Sequence, residues 1–281
     1  MEQVIGPVRT GAGVTTHNIY QVDAFTSCLF GGNPAAICIL DSWLDAEVMQ
    51  DIAAENNLSE TAFIVQSHSG YDLRWFTPKI EVDLCGHATL AAGYVVLHLL
   101  GENIDSVSFE TVSGTLTVRR DGEWLSMDFP SRAPTLVAAI EALSDALGKA
   151  PSEVHMSRDI LALYDDEATV QALSPDFVKL AALEEGLGVI AAAKGDTVDF
   201  VSRFFAPKAG ISEDPVTGSA HCTLVPFWSE RLGKPQLQAR QISERGGELL
   251  CEHRGDRVTI KGQCRLFLKG TFEFEPHAPG L

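Results

Sequence analysis

The chain has six cysteines, Cys28, Cys38, Cys85, Cys222, Cys251 and Cys264, but no two at the C-x-x-C spacing. Their scatter argues against a structural zinc site and against a disulfide framework, and most read as small buried hydrophobes. Positive charge is scarce as well: 21 Lys and Arg stand against 38 Asp and Glu, a formal net charge of −17. That balance repels a phosphate backbone and an anionic membrane surface, which excludes nucleic acid and membrane as partners. No run of 18 apolar residues occurs, and the opening MEQVIGPVRTGAGVTT lacks the basic-then-apolar order of a leader. A soluble cytoplasmic protein is the expectation. Low-complexity segments are missing too. What is present is 281 residues, 45% of them hydrophobic, enough for one large or two medium domains.

The chain repeats itself. LRWFTPKIEVDLCGHAT and VSRFFAPKAGISEDPVTGSA align at an offset of 129, with Arg74 on Arg203, Phe76 on Phe205 and Lys79 on Lys208. The offset also holds upstream, from Leu44 on Leu173 to Leu58 on Leu187, while SGTLTVRRDGEWLSM and GGELLCEHRGDRVTI align at 133. Three segments in one order imply two structurally similar halves. WLDAEVMQDIAAENN has a helical apolar face, and its counterpart LSPDFVKLAALEEG offers Ser174 as N-cap and Pro175 at the first helical position. TAFIVQ and LGVIAAA read as strands after these helices; further helices begin near Ala88 and Ala220, and hairpin-like strands close each half. The fold class is therefore α+β in two lobes, 1–130 and 131–264, with the C-terminal strand 265–281 pairing back onto either half.

Two similar lobes create a cleft, the usual place for a small ligand. On the 129 offset Cys85 falls on Asp214, which sets a thiol and a carboxylate face to face for two-sided proton transfer. Taken singly, Cys85 reads as a buried spacer and Asp214 as an acid suited to a helix dipole. Gly86-His87 and Gly218-Ser219 place backbone N–H groups at helix starts, where a carboxylate can dock. Glu60, in NLSETAFIV, falls on Val189 at the same offset, which points to an asymmetric site. Beside the apolar TAFIV its pKa is expected to rise, which suits an acid that both takes and gives a proton; as a solvated strand-edge acid it would do neither. Asn33, in FGGNPAAICIL, reads as a ligand-binding amide or as a turn cap.

QVDAFTSCLFGGNPAAICIL, LSETAFIV, RWFTPKIEVDLCGHATLAAGYV and EDPVTGSAH together resemble the PhzF-like isomerases of phenazine biosynthesis, from Asn18 to Phe274. The resemblance implies a diaminopimelate epimerase-like fold: two pseudo-symmetric lobes, each a curved, mostly antiparallel sheet around a central helix. It implies no cofactor, no metal and a homodimer. It also implies Glu60 as principal proton carrier, His87, Asp214 and Ser219 as its partners, and Gly86 and Gly218 as carboxylate-binding backbone. Phenazine-pathway members of that family move a proton between the ring carbons of a dihydro-hydroxyanthranilate. The epimerase cousins use two facing cysteines; here Asp214 takes the second place, against a two-thiol racemase.

The leading expectation is a cofactor-independent isomerase of a small anionic, carboxylate-bearing metabolite, with Asn33 and Cys85 among the substrate-binding residues. An amino-acid racemase setting Cys85 against Asp214 or Glu60 is the second reading, and a non-catalytic metabolite-binding protein the third. A hydrolase built on Cys85 and His87 is disfavoured, because residues two apart at a helix start point in different directions.

Overall fold

In the computed structural model, which describes residues 15–68, 70–101 and 104–274, the chain forms two units whose sheets share one internal pairing scheme. Most of the stretch read for a leader lies outside the described residues, as does the end of the tail from residue 275. The first unit contains the residues up to Asp23, Pro34–Arg120 and those from Cys264; the second contains Ala24–Asn33 and Asp121–Gln263. Among the described residues no helix is long and apolar enough to cross a membrane.

The first unit runs β1 (Thr15–Ala24), β2 (Asn33–Leu40), α1 (Ala46–Asn56), β3 (Glu60–Ser67), β4 (Gly70–Phe76), β5 (Glu81–Val82), α2 (Gly86–Tyr94), β6 (Ser106–Thr111) and β7 (Gly114–Asp121). The strand Cys264–Phe274 returns to pair with β1. β3 is parallel to β2 and antiparallel to β4; β4 is parallel to β6, which turns antiparallel into β7. Strand side chains alternate between faces, so Phe63 and Val65 of β3 pack with Phe76, Met49 and Ala53 beneath α1. α2 packs against β3 and is buried from His87 through Gly93. A helix enclosed this way needs small side chains, and HATLAAG supplies them.

The second unit continues with β8 (Trp124–Pro130), β9 (Thr135–Val137), α3 (Glu141–Leu147), β10 (Glu153–Met156), β11 (Ile160–Leu163), α4 (Glu167–Ala172) and α5 (Phe177–Ala181). Then come β12 (Val189–Lys194), β13 (Phe200–Ala206), β14 (Ile211–Asp214), α6 (Gly218–Leu232), β15 (Gln236–Gln241), β16 (Gly247–Arg254) and β17 (Arg257–Gly262). β11 to β12 parallel, β12 to β13 antiparallel, β13 to β15 parallel and β15 to β16 antiparallel reproduce the order of the first unit. α6 is its enclosed helix. Pro226 lies inside α6 and cannot donate to the Cys222 carbonyl one turn back; the Arg132 N–H donates to that carbonyl instead, at 2.9 Å.

Two boundaries differ from the sequence expectation. β8, read as the end of the first half, lies in the second unit, because its residues from Leu125 to Pro130 pair with β17. The helix expected to open on Ser174 and Pro175 starts at Phe177 instead. Asp176 is its N-cap, and its carboxylate accepts the N–H groups of Val178 and Lys179.

The repeated R-x-F-x-P-K signature is structural. Arg74 forms a double hydrogen bond to Glu81 at 2.6 and 2.8 Å and lies over the Phe76 ring. Arg203 does the same with Glu213, at 2.8 Å for both bonds, and with Phe205. The paired geometry is the strong form of a salt bridge.

Gly93 tests how tightly the sheet closes on α2. A Cβ there would lie 2.5–2.8 Å from the Val118 side chain of β7. Gly to Ala inside a helix ordinarily gains about 1 kcal/mol, whereas overpacking costs about 1–3 kcal/mol. Gly93→Ala is therefore expected to lower stability in urea denaturation, and adding Val118→Ala to restore most of the loss. A Gly93→Ala variant as stable as the parent would show that β7 gives way freely.

Candidate active site

Each enclosed helix begins with a glycine directly after an extended residue. Cys85 (φ −142°, ψ 114°) precedes Gly86, and Thr217 (φ −116°, ψ 103°) precedes Gly218. Neither first turn contains an acidic residue, so the positive end of each helix dipole suits an external anion. The helix starts also revise the pairing read at the 129 offset. Thr217, not Asp214, stands where Cys85 stands, and Ser219 stands where His87 stands, because the second half has three more residues before its helix. Asp214 ends β14, paired with Phe204.

Glu60 is shifted in the same way. Thr61 registers with Phe76 and Val189 with Phe205, so Val189 answers to Thr61 and Gly188 answers to Glu60. A slip of one residue turns a strand side chain to the other face. Glu60 thus projects opposite to Phe63, toward α2. In the second unit a Cβ at Gly188 would collide with the Phe204 ring, which leaves no room for an acid.

The chain reaches Glu60 by a short link. Asn57, in the left-handed conformation (φ 49°, ψ 36°), closes α1 and β3 begins three residues later. Glu60 Oε2 lies 3.1 Å from His87 Nε2, and His87 Nδ1 lies 3.5 Å from Cys85 Sγ. All three residues are buried, with 8, 5 and 6% of their surface exposed. Cys85 and His87, expected to point apart, meet because the extended backbone of Cys85 carries its side chain across the first turn. Burial opposes a charged His87, but Cys85 and Glu60, by charge and hydrogen bonding, outweigh it and hold the imidazole pKa well above the usual histidine value. Burial and then the Glu60 charge push the Cys85 thiol up, with His87 and the Ala88 N–H pulling the other way. The three side chains thus form one buried chain of contacts, Cys85 to His87 to Glu60.

The second unit builds a buried hydrogen-bond network instead. Asn33 Nδ2 donates to Asp214 Oδ1 at 2.7 Å and to the Val216 carbonyl at 3.0 Å, and the Thr217 hydroxyl donates to Asp214 Oδ2. Gln241, fully buried, donates to the Asp214 carbonyl at 2.7 Å and accepts the Thr217 N–H at 2.9 Å. Asn33 thus fixes Asp214, where the sequence suggested a turn cap or a ligand contact. Ser219 accepts from Arg158 Nη2 at 3.4 Å. His221, one turn into α6, is a core residue: its Nδ1–H donates to the Thr217 carbonyl at 2.8 Å, and burial pushes its pKa down to about 4.

Sequence reasoning missed Thr217, Gln241 and Arg158. Thr217 sits inside the quoted EDPVTGSAH motif, whereas QARQ around Gln241 reads as an ordinary strand. The six cysteines are free thiols, five of them buried and Cys28 exposed. One cluster has mixed ligand chemistry: Glu60, Cys85 and His87 each offer a donor atom within 4.8 Å of the others.

A family model described as phenazine biosynthesis-like protein, PhzC-PhzF, matches residues 22–270. An uncharacterized isomerase of Pseudomonas aeruginosa is 52% identical over 253 residues, covering 90% of this chain and 97% of the relative. The crystal structure of a PhzF-family phenazine biosynthesis protein from Enterococcus faecalis superimposes with a TM-score of 0.90 at 47% identity, over 92% of this chain and 99% of that one. A hydroxyproline epimerase from Agrobacterium vitis, at 10% identity and a TM-score of 0.62 over 94% of each chain, shares the fold.

The two buried histidines are expected to titrate in opposite directions in one NMR experiment. His87 should stay protonated well above pH 6.5, and its pKa should fall in Glu60→Gln. Its raised value contributes stability that is fully present below about pH 6.5 and is lost as pH rises through the folded value. His221 should stay neutral until about pH 4. Its contribution is present above about pH 6.5 and is lost as pH falls toward the folded value, a change of the order of 3 kcal/mol. A His87 that titrates at an ordinary value, unmoved by Glu60→Gln, would dissolve the charged pair.

Proposed function

Because the chain belongs to the PhzC-PhzF phenazine biosynthesis-like family and is an isomerase, we propose that it moves a proton between carbons of a small carboxylate-bearing metabolite, without a cofactor. The observation that carries this is the Glu60–His87 pair, 3.1 Å apart, at the head of an enclosed helix whose first turn holds no acid. Glu60, as the carboxylate, takes a proton from a substrate carbon. The electron pair left behind delocalises toward the substrate's unsaturated system, and Glu60 returns the proton at another carbon of that system. His87, 3.1 Å away, pairs with that carboxylate form. The family resemblance supports the Gly86 and Gly218 helix starts and Ser219 as the groups that bind the substrate's carboxylate, and Asp214, held rigid by Asn33 and Thr217, as the group that orients its amino or hydroxy substituent. The family resemblance further supports a homodimer.

A racemase using Cys85 draws on the 3.5 Å contact to His87. Two observations weigh against it: burial keeps the thiol protonated, and the matching helix-start residue is Thr217, whose hydroxyl is committed to Asp214.

Candidate amino- and hydroxy-carboxylates incubated in deuterated water, read by mass spectrometry, test the proposal. Glu60→Gln is expected to cut deuterium incorporation by roughly 10²–10⁴-fold, the usual worth of a positioned acid–base group. Asp214→Asn should weaken substrate binding more than turnover. Incorporation that survives Glu60→Gln and disappears in Cys85→Ser would transfer the proton to the thiol and replace this reading with the racemase.

A further inference from the structure

We propose that Glu60, Cys85 and His87 form a binding site for a soft divalent cation such as Zn²⁺, occupied in competition with the substrate. The family resemblance calls for no metal as a cofactor; here the cation is an inhibitor.

Three side chains of different ligand chemistry, a thiol, an imidazole and a carboxylate, converge with one donor atom each within 4.8 Å of the others, and all three are buried. A tetrahedral zinc site with Zn–S of about 2.3 Å and Zn–N of about 2.0–2.1 Å has a sulfur–nitrogen edge of about 3.6 Å. Cys85 Sγ and His87 Nδ1 stand 3.5 Å apart, already at that separation. Glu60 Oε2 stands 3.1 Å from the other ring nitrogen, Nε2, so its carboxylate swings along the imidazole edge to complete a third corner, where the carboxylate edges of the same tetrahedron are about 3.4–3.6 Å. Binding displaces the Cys85 thiol proton and the His87 ligand-nitrogen proton to solvent, and three protein ligands leave a fourth position for water, the coordination of an open zinc site. Sulfur and imidazole together select Zn²⁺, Co²⁺ and Cd²⁺ over Mg²⁺ and Ca²⁺, which prefer all-oxygen shells.

Occupancy engages both Glu60 and His87, so proton transfer stops until a chelator removes the ion. That consequence rests on the isomerase reading; the binding does not. The cysteine exposed elsewhere, Cys28, has the Ser27 hydroxyl 3.7 Å from its sulfur and donates its N–H to the Thr26 hydroxyl at 3.1 Å, and it serves as the control.

Co²⁺ added to the full-length protein is the direct probe, because a cobalt–thiolate bond gives a charge-transfer band whatever the enzyme does. One equivalent of Co²⁺ should produce the band, Zn²⁺ should displace it and Mg²⁺ should not. Cys28→Ser should retain it. Cys85→Ser should abolish it and weaken Zn²⁺ binding by more than the roughly 10–100-fold that loss of an outer-shell partner costs. If Cys85→Ser does not fold, Glu60→Gln, which keeps the side chain's size, should weaken Co²⁺ binding instead. No band in the wild type, a band that survives Cys85→Ser, one lost in Cys28→Ser, or a Co²⁺ affinity unmoved by Glu60→Gln would overturn the site. Deuterium exchange that continues while the band is saturated would leave the site standing and remove Glu60 and His87 from catalysis.

Discussion

Everything at the candidate site follows from enclosing a helix on all sides. α2 is buried from His87 to Gly93, and α6 buries ten residues between Gly218 and Ser229. A helix in that position has no polar face to turn toward water, so its polar capacity is concentrated at its ends. Small residues along its length let the sheet close in, and the glycine that opens it leaves the backbone amides uncovered. The walls of each unit therefore serve packing, and the chemistry-bearing residues gather at the helix start.

The two units use the same frame differently. In the first, the helix start faces Glu60, and burial is tolerated because His87 supplies the opposite charge. A buried pair of this kind is costly to break from either side, since the partner left behind is an uncompensated charge. In the second, Gly188 takes the place of Glu60, and Asp214 is satisfied mainly by neutral donors from Asn33 and Thr217. One unit thus sets its acid beside an imidazole, and the other holds its acid among neutral donors. The Arg–Glu–Phe cluster, by contrast, is the same in both units, as expected of a part that carries load and no chemistry.

Much of the frame was legible because the internal repeat marks equivalent strands, and hydrophobic runs such as TAFIV announce strands buried on both faces. The candidate residues could be named as a set, through four motifs in family order. Their exact partners were not. A constant offset cannot register the three extra residues before Gly218, which is why Cys85 was set against Asp214 instead of Thr217. Nor does it sense strand parity, which gave Val189 to Glu60 when cross-strand pairing gives Gly188. The Cys85–His87 contact depends on the backbone angles of one helix-start residue, and Gln241 reaches Asp214 from a strand with no signal of its own. The place of β8 depends on a partner, β17, that lies more than a hundred residues onward.

The chain passes between the two units four times, at Asp23–Ala24, Asn33–Pro34, Arg120–Asp121 and Gln263–Cys264. During synthesis, the bulk of the first unit leaves the ribosome while the strand that pairs with β1 has yet to be made. At about 5–20 residues per second, the stretch from Arg120 to Cys264 takes roughly 7–30 s to translate. For that interval the outer edge of β1 offers unpaired N–H and C=O groups to any neighbouring chain. Final closure of the first unit is thus a late event, set by the arrival of the returning strand and not by the speed at which the early ones fold.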